Sequence, residues 1–224
     1  MCDLDSWSDT PGYGTNPGVV DGILGNTPYG LVQTQCMGPT RALLSEFIQN
    51  MDGGSFVEIG IFGGASQLSM YDLCMSKGMV VYGIDPFEDI NIFNGKSEED
   101  THTGIAETAR NAALGRRLAL DAIIKKNNLR IDILKKTSTE AVTMFNDGSI
   151  SVLHVDGDHS YDGVTNDLNN YWTKIRSGGV IINDDYDWPC CRKAIDEFVR
   201  LKDAEIRESY DASTHGPKHV IVKR

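Results

Sequence analysis

Basic residues, paired cysteines and long apolar segments are all scarce in this chain. Its 224 residues include 21 lysines and arginines against 32 aspartates and glutamates, which gives a formal net charge of −11. Such a surface repels phosphate groups, so nucleic acid and anionic membranes are both disfavoured as partners. No apolar run reaches the length of a bilayer span, and the acidic first residues predict neither a signal peptide nor a transit peptide. We therefore expect a small or neutral substrate.

The cysteines are five in number and show no C-x-x-C spacing: Cys2, Cys36, Cys74, Cys190 and Cys191. An odd count without paired spacing argues against both a disulfide framework and a zinc site. We interpret these residues as reduced thiols and expect a cytoplasmic protein.

The chain is long enough for one sizeable core, so a single domain is the default prediction. Residues 1–35 are rich in glycine, proline and asparagine, which predicts a loop-dominated arm or lid ahead of a domain at 36–224. Within that domain, the polar stretch 88–104 is predicted to be a substrate-lid insertion.

Apolar strand-like runs alternate with helical patterns from residue 55 onward. The predicted strands are 55–59, 79–84, 130–134, 150–155, 180–182, 205–210 and 219–222. The predicted helices are 39–51, 63–76, a long one from about 105 that Gly115 interrupts, 162–175 and 192–201. This order predicts an α/β fold: one Rossmann-like domain with a mostly parallel seven-stranded sheet and helices on both faces. The last two strands have no helix between them, so they should form a C-terminal antiparallel hairpin.

Two acidic clusters follow the fourth and fifth predicted strands. V-D-G-D-H-S-Y contains Asp156, Asp158 and His159, and I-I-N-D-D-Y contains Asp184 and Asp185. Carboxylates at adjacent strand ends can gather round a hard divalent cation, and imidazole can accept a proton near neutral pH. The structural alternatives are turn residues in the first cluster and a helix cap in the second. Asp158 is the ambiguous member, because it could instead orient His159.

A glycine-rich turn follows the first strand of the domain, in E-I-G-I-F-G-G-A-S. Glycines there allow the backbone to approach a ligand closely. The spacing is not G-x-G-x-x-G, which argues against a dinucleotide site, and no Lys-Ser/Thr pair of a P-loop is present. Asp85 ends the second strand, where a carboxylate can accept hydrogen bonds from a ribose diol.

Together these motifs resemble those of class I S-adenosylmethionine-dependent methyltransferases, over about residues 36–224. More narrowly, the chain resembles the metal-dependent O-methyltransferases that include the catechol and macrolide-sugar enzymes. The matching segments are E-I-G-I-F-G-G-A-S, I-D-P-F, H-V-D-G-D-H-S-Y and G-G-V-I-I-N-D-D-Y. The resemblance implies that Mg²⁺, or Mn²⁺ in its place, is held by Asp156, Asp184 and Asp185, and that His159 is the general base. The cofactor residues that it implies are Glu58, Gly60, Phe62, Ser66, Asp85, Phe87, Thr137, Ser138 and Asp156.

The chemistry of these residues suits methyl transfer to a hydroxyl group. A sugar hydroxyl is a weak acid, so a bound cation and a base would both assist its reaction. An acceptor with vicinal hydroxyls could chelate the cation. The catechol branch has lysine where His159 stands, which favours a sugar, a glycosylated small molecule or a glycan over a catechol or phenol. A nicotinamide-dependent oxidoreductase and a non-catalytic cofactor-binding module are the remaining alternatives, and the resemblance also allows a homo-oligomer.

Overall fold

The computed structural model describes residues 23–34, 38–87, 103–202, 205–209 and 218–224. Residues 1–22 of the predicted arm and 88–102 of the predicted lid lie outside these ranges. The strands are β1 (Ile23–Thr27), β2 (Gly30–Thr34), β3 (Ser55–Ile59), β4 (Val80–Ile84), β5 (Ile131–Leu134), β6 (Ile150–Val155), β7 (Ile175–Asn183), β8 (Glu205–Ser209) and β9 (Lys218–Val222). The helices are α1 (Gly38–Gln49), α2 (Ala65–Ser76), α3 (Thr103–Asn127), α4 (Ser138–Ala141), α5 (Tyr161–Trp172) and α6 (Pro189–Lys202), with a 3₁₀ turn at Val142–Met144.

Seven strands form one sheet in the order β5-β4-β3-β6-β7-β9-β8. The pairs from β5 to β7 are parallel, while β9 runs antiparallel to both β7 and β8. The predicted α/β fold, its mostly parallel sheet and its C-terminal antiparallel hairpin are therefore confirmed. Every residue of β3 and β6 is buried, as expected for central strands covered on both faces.

Two separate apolar clusters cover the two faces of the sheet. One joins α1, α2 and α3 to the sheet through side chains such as Leu44, Leu68 and Leu120. The other joins α4, α5 and α6 to the opposite face through Leu168, Ile195 and others. Each fully buried aliphatic side chain contributes about 1.5–3 kcal/mol to the stability of the fold. The two layers therefore hold the strand ends at fixed spacing.

The structure differs from the sequence predictions in four places, one of which is helix α4 with the 3₁₀ turn after it, where no element was predicted. A short antiparallel hairpin, β1–β2, lies within residues 1–35, where a loop-dominated arm was expected. Helix α3 runs without a break through Gly115, which costs about 1 kcal/mol relative to alanine, too little to end a 25-residue helix that packs on the sheet. Strand β7 begins at Ile175 rather than at residue 180, since Gly178 takes a φ of 75° that lets the chain continue into the sheet.

None of the helices in the described ranges combines the length and the apolarity needed to cross a membrane.

Candidate active site at the carboxyl edge of the sheet

Four predicted site residues lie in a row because their strands end in register. Strand ends Ile59, Ile84, Val155 and Asn183 are aligned by the parallel ladders. The backbone hydrogen bonds continue one residue further: Gly60 donates to Ile84 (2.8 Å), Asp156 to Ile59 (2.9 Å) and Asp184 to Val155 (3.0 Å). Asp85 donates in the same way to Leu134 of β5 (3.1 Å). The sheet itself therefore sets the spacing of Gly60, Asp85, Asp156 and Asp184.

Gly60 packs directly against the backbone of Asp156, and this contact, not space for a ligand, requires glycine at position 60. Its φ is +81°, and a Cβ added to it would lie 2.0 Å from the carbonyl oxygen of Asp156. The close approach that the sequence suggested is therefore one between two strand ends of the protein.

Replacement of Gly60 by alanine should destabilise the fold by at least about 2 kcal/mol, from left-handed strain and a backbone clash together. Gly115→Ala is the matched control, because a Cβ at that helical position meets nothing within 4 Å. That control should stabilise the protein by up to about 1 kcal/mol. Urea unfolding of both variants makes the comparison, and equal stability of Gly60→Ala and wild type would contradict this account of the turn.

Asp85 organises the loops on both sides of it through backbone donors. Its carboxylate accepts the N–H of Phe62 (3.0 Å) and the N–H of Phe87 (2.6 Å). Both phenylalanines have left-handed backbone, with φ of 49° and 53°. The guanidinium of Arg116 stacks 3.9 Å from the Phe62 ring centre, and that of Arg117 lies 5.3 Å from that of Phe87. Asp85 therefore links the loop after β3 to the loop after β4.

A buried polar line crosses the sheet beside this row. The Glu58 carboxylate on β3 contacts Nδ1 of His154 on β6 at 2.7 Å and also accepts a hydrogen bond from Gln67 on α2. The other ring nitrogen of His154, Nε2, lies 3.8 Å from Oδ2 of Asp184 and makes no hydrogen bond within the described part of the chain. The line then ends at Lys218 on β9, whose Nζ pairs with Asp184.

His159 lies between two carboxylates. Its Nδ1 is 3.2 Å from Oδ2 of Asp185, and its Nε2 is 3.4 Å from Oδ1 of Asp156, although the second contact lacks the geometry of a hydrogen bond. The ring also packs edge-on against Trp188, with centres 5.0 Å apart. One ligand atom from each of Asp156, His159 and Asp185 falls within 4.8 Å of the other two.

Burial and crowding shift the proton affinities of this group. Burial and the nearby Asp156 charge raise the pKa of Asp185 to about 6. Burial alone would raise the pKa of Asp156, but His159 and His154 outweigh it and hold that pKa below its ordinary value. Burial would likewise lower the pKa of His159, yet the adjacent Asp156 and Asp185 raise it overall.

The sequence-predicted metal ligands are thus split into two groups in the structure. Asp156 and Asp185 converge with His159, whereas Asp184 faces His154 and Lys218. Neither His154 nor Lys218 is among the site residues predicted from the sequence. Neither residue has a local motif, because their partners come from other strands through tertiary pairing.

The remaining predicted residues take structural positions close to the same edge. Thr137 caps α4 in a reciprocal capping box with Glu140, and the carbonyl of Ser138 accepts the Tyr171 hydroxyl at 2.9 Å. Ser66 is buried in the first turn of α2. Asp158 is exposed, and its Oδ1 accepts the Ser160 N–H at 2.9 Å, so its hydrogen bond belongs to the start of α5.

A buried carboxylate on α5, Asp167, should make stability depend on pH. Burial raises the pKa of Asp167 to about 6, and a hydrogen bond from Ser138 offsets only part of this. A folded-state pKa above the unfolded value of about 3.9 means that the stabilising contribution is present at low pH and is lost as pH rises through 6. Asp167→Asn should therefore gain on the order of 2–3 kcal/mol at pH 8 and little at pH 4, measured by urea unfolding. A gain that does not change with pH would show that the carboxylate is not buried.

Comparison with known proteins identifies the family to which this chain belongs. A methyltransferase-domain family matches residues 57–186, which is more than half of the chain. The chain is 27% identical to demethyldecarbamoylnovobiocin O-methyltransferase of Streptomyces niveus over 173 residues, covering 70% of this chain and 63% of that protein. It is 30% identical to the uncharacterized protein R132 of Acanthamoeba polyphaga mimivirus over 172 residues, covering 69% and 64%. The chain therefore spans less than two thirds of the length of either relative.

Solved structures share the fold. The O-methyltransferase NovP superposes with a TM-score of 0.60 at 20% identity, covering 83% of this chain and 80% of that one. CalS11, a TDP-rhamnose 3′-O-methyltransferase of calicheamicin biosynthesis, gives a TM-score of 0.52 at 14% identity, covering 82% and 77%.

Proposed function

Because the chain belongs to this methyltransferase-domain family, we propose that it is a Mg²⁺-dependent O-methyltransferase that uses S-adenosylmethionine. The acceptor in this proposal is a hydroxyl of a sugar, a glycosylated small molecule or a glycan. The observation that carries the proposal is the convergence of Asp156, His159 and Asp185 at the strand ends, beside the turn that Asp85 organises. Such a reaction needs a metal site, a proton acceptor and a cofactor site close together. The carboxylate pair, the imidazole and the turn at Asp85 would supply these at one edge of the sheet.

On the cofactor side, Asp85 would receive the ribose hydroxyls, and Glu58, Gly60, Phe62 and Ser66 would border the methionine end. The backbone N–H groups of Phe62 and Phe87 already fix the Asp85 carboxylate. Binding of the cofactor would therefore cost little side-chain entropy at Asp85. Phe87, Thr137 and Ser138 lie at the adjacent strand ends, where the proposal places adenine.

The acidic group fits a divalent cation. Asp156 and Asp185 bring like charges together in a half-buried space, and burial together with the Asp156 charge raises the pKa of Asp185 although His159 lies beside it. Oxygen ligands suit Mg²⁺ or Mn²⁺, and the proposed set is Asp156, Asp184 and Asp185. The cation, when bound, would lower the pKa of an acceptor hydroxyl and orient a vicinal pair of hydroxyls.

His159 would take the proton from the acceptor hydroxyl. Its imidazole borders both Asp156 and Asp185, and Trp188 holds the ring from its edge. A fixed ring at this position can accept a proton with little reorganisation.

The fold neighbour CalS11 is a TDP-rhamnose 3′-O-methyltransferase, and this supports our proposal of a sugar acceptor over a catechol. The three cysteines in the described ranges are buried and form no disulfide bond there, which supports our further proposal of a cytoplasmic location.

Calorimetric titration of S-adenosylmethionine and S-adenosylhomocysteine, with NAD as control and with and without Mg²⁺, tests the cofactor. We expect dissociation constants on the order of micromolar for the methionine-derived pair and none measurable for NAD. Incubation with labelled cofactor and a panel of nucleotide sugars, glycosides and catechols then tests the acceptor. Preference for NAD would overturn the proposal, and label transferred only to catechols would replace its acceptor class.

A further inference from the structure

Lys218 is placed at the acidic site by the antiparallel pairing of β9 with β7. Asn183 pairs with His219 in that ladder. Because the strands are antiparallel, Asp184, which follows Asn183, lies opposite Lys218, which precedes His219. The Nζ of Lys218 forms an ion pair with Oδ1 of Asp184. The two side chains are only 5% and 9% exposed, so water screens this pair weakly.

Each of the three carboxylates proposed as metal ligands therefore faces a basic side chain of the protein. His159 borders Asp156 and Asp185, and Lys218 pairs with Asp184. A buried carboxylate without a partner would cost several kcal/mol, so Lys218 gives Asp184 the compensation that it needs to be buried. The same contact places a positive charge on a carboxylate of the proposed metal site.

We propose that Lys218 is an internal counter-cation, which neutralises Asp184 when no metal is bound and competes with the divalent cation for that carboxylate. This inference rests on the proposed function, since it concerns the same metal site. An ammonium group and a divalent cation on the same carboxylate repel each other, so a bound metal would favour withdrawal of Lys218. His154 lies on the other side of Asp184, with its Nε2 3.8 Å from Oδ2, and this nitrogen makes no hydrogen bond within the described residues.

The test is the affinity for Mn²⁺ of purified Lys218→Met, measured from the electron paramagnetic resonance signal of the free ion. Removing the competing charge should tighten Mn²⁺ binding about tenfold or more, the scale of close charge pairs in poorly solvated sites. The melting temperature of the variant should fall below that of wild type without metal and rise further on adding Mn²⁺. Lys218→Gln, which keeps a donor for Asp184, takes its place if the methionine variant is insoluble.

Two further variants separate charge from shape. Lys218→Arg keeps the positive charge and should bind Mn²⁺ within about threefold of wild type. Lys174→Met removes a lysine–aspartate ion pair at the surface, with Asp147 at 2.7 Å, in a turn after α5, and it should leave Mn²⁺ affinity unchanged.

The outcomes distinguish this inference from the function on which it rests. If wild type binds Mn²⁺ and neither Lys218→Met nor Lys218→Gln binds it more tightly, the competition is overturned while the metal-dependent function stands. Weaker binding by these variants overturns it as well, because Lys218 would then support the site. If neither wild type nor the variants bind Mn²⁺, both the competition and the metal requirement fall, and cofactor calorimetry alone decides whether a methyltransferase remains.

Discussion

Replacement of Asp185 by asparagine is expected to lower Mg²⁺-dependent turnover at least ~100-fold at limiting Mg²⁺, because a carboxylate ligand becomes a neutral amide. Asparagine is the informative choice at this position. Asp185 has a φ of 50°, and asparagine tolerates left-handed backbone better than other residues apart from glycine. The substitution therefore changes the charge while it keeps the backbone.

The stability of this variant should move in the opposite direction from its activity. Burial and the Asp156 charge raise the pKa of Asp185 to about 6, so the ionised carboxylate is a cost to the fold at neutral pH. Asp185→Asn removes that cost, and its urea midpoint should equal or exceed that of wild type. Asp132→Asn, an exposed carboxylate on edge strand β5, is the control and should alter neither quantity. Full activity of Asp185→Asn after exhaustive chelation would remove Asp185 as a ligand.

Replacement of His159 by glutamine is expected to lower kcat by about 10²–10⁴-fold, the usual range for a lost general base. The ring lies 3.2 Å from Asp185 and 3.4 Å from Asp156, so it could be a metal ligand as easily as a base. The two roles differ in what else changes. If His159 is the base, its loss leaves the affinities for Mn²⁺ and S-adenosylmethionine unchanged. If it is a metal ligand, its loss weakens Mn²⁺ binding as well as lowering kcat.

Asp158 provides the comparison for His159. It is exposed, and its Oδ1 is engaged by the Ser160 N–H at the start of α5. We expect Asp158→Asn to lower kcat by no more than about threefold, since surface charges act weakly across solvent. A larger loss from Asp158→Asn than from His159→Gln would move the proton acceptor to Asp158.

The sequence predicted the sheet and its carboxyl edge well because those depend on local patterns. Apolar runs of three to six residues mark the parallel strands, several of them are followed directly by glycine or aspartate, and the ends of such strands meet at one edge. These patterns predict that Asp85, Asp156, Asp184 and Asp185 lie at one edge of the sheet, as they do in the structure. The roles assigned to these residues remain predictions.

What the sequence did not predict depends on pairing between distant strands. The ion pair of Lys218 with Asp184 follows from the register of β9 on β7, and nothing near either residue signals it. Hairpin β1–β2 was missed since its strands are only five residues each and lie in a glycine- and asparagine-rich stretch. Helix α3 continues through Gly115 because tertiary packing outweighs a single weak helix former.

Four non-glycine residues adopt left-handed backbone in the described part of the chain: Phe62, Phe87, Asn128 and Asp185. Asn128 follows the end of α3, where asparagine is ordinary, but the other three each lie just beyond a strand at the proposed site. Glycine there would relieve roughly 1 kcal/mol of strain per position. Phe87 is only 6% exposed and belongs to the core, so loss of its ring would cost more than this relief. A library that selects only for thermostability should therefore retain Phe87 and enrich glycine or asparagine at Asp185, whereas selection for turnover should restore aspartate there.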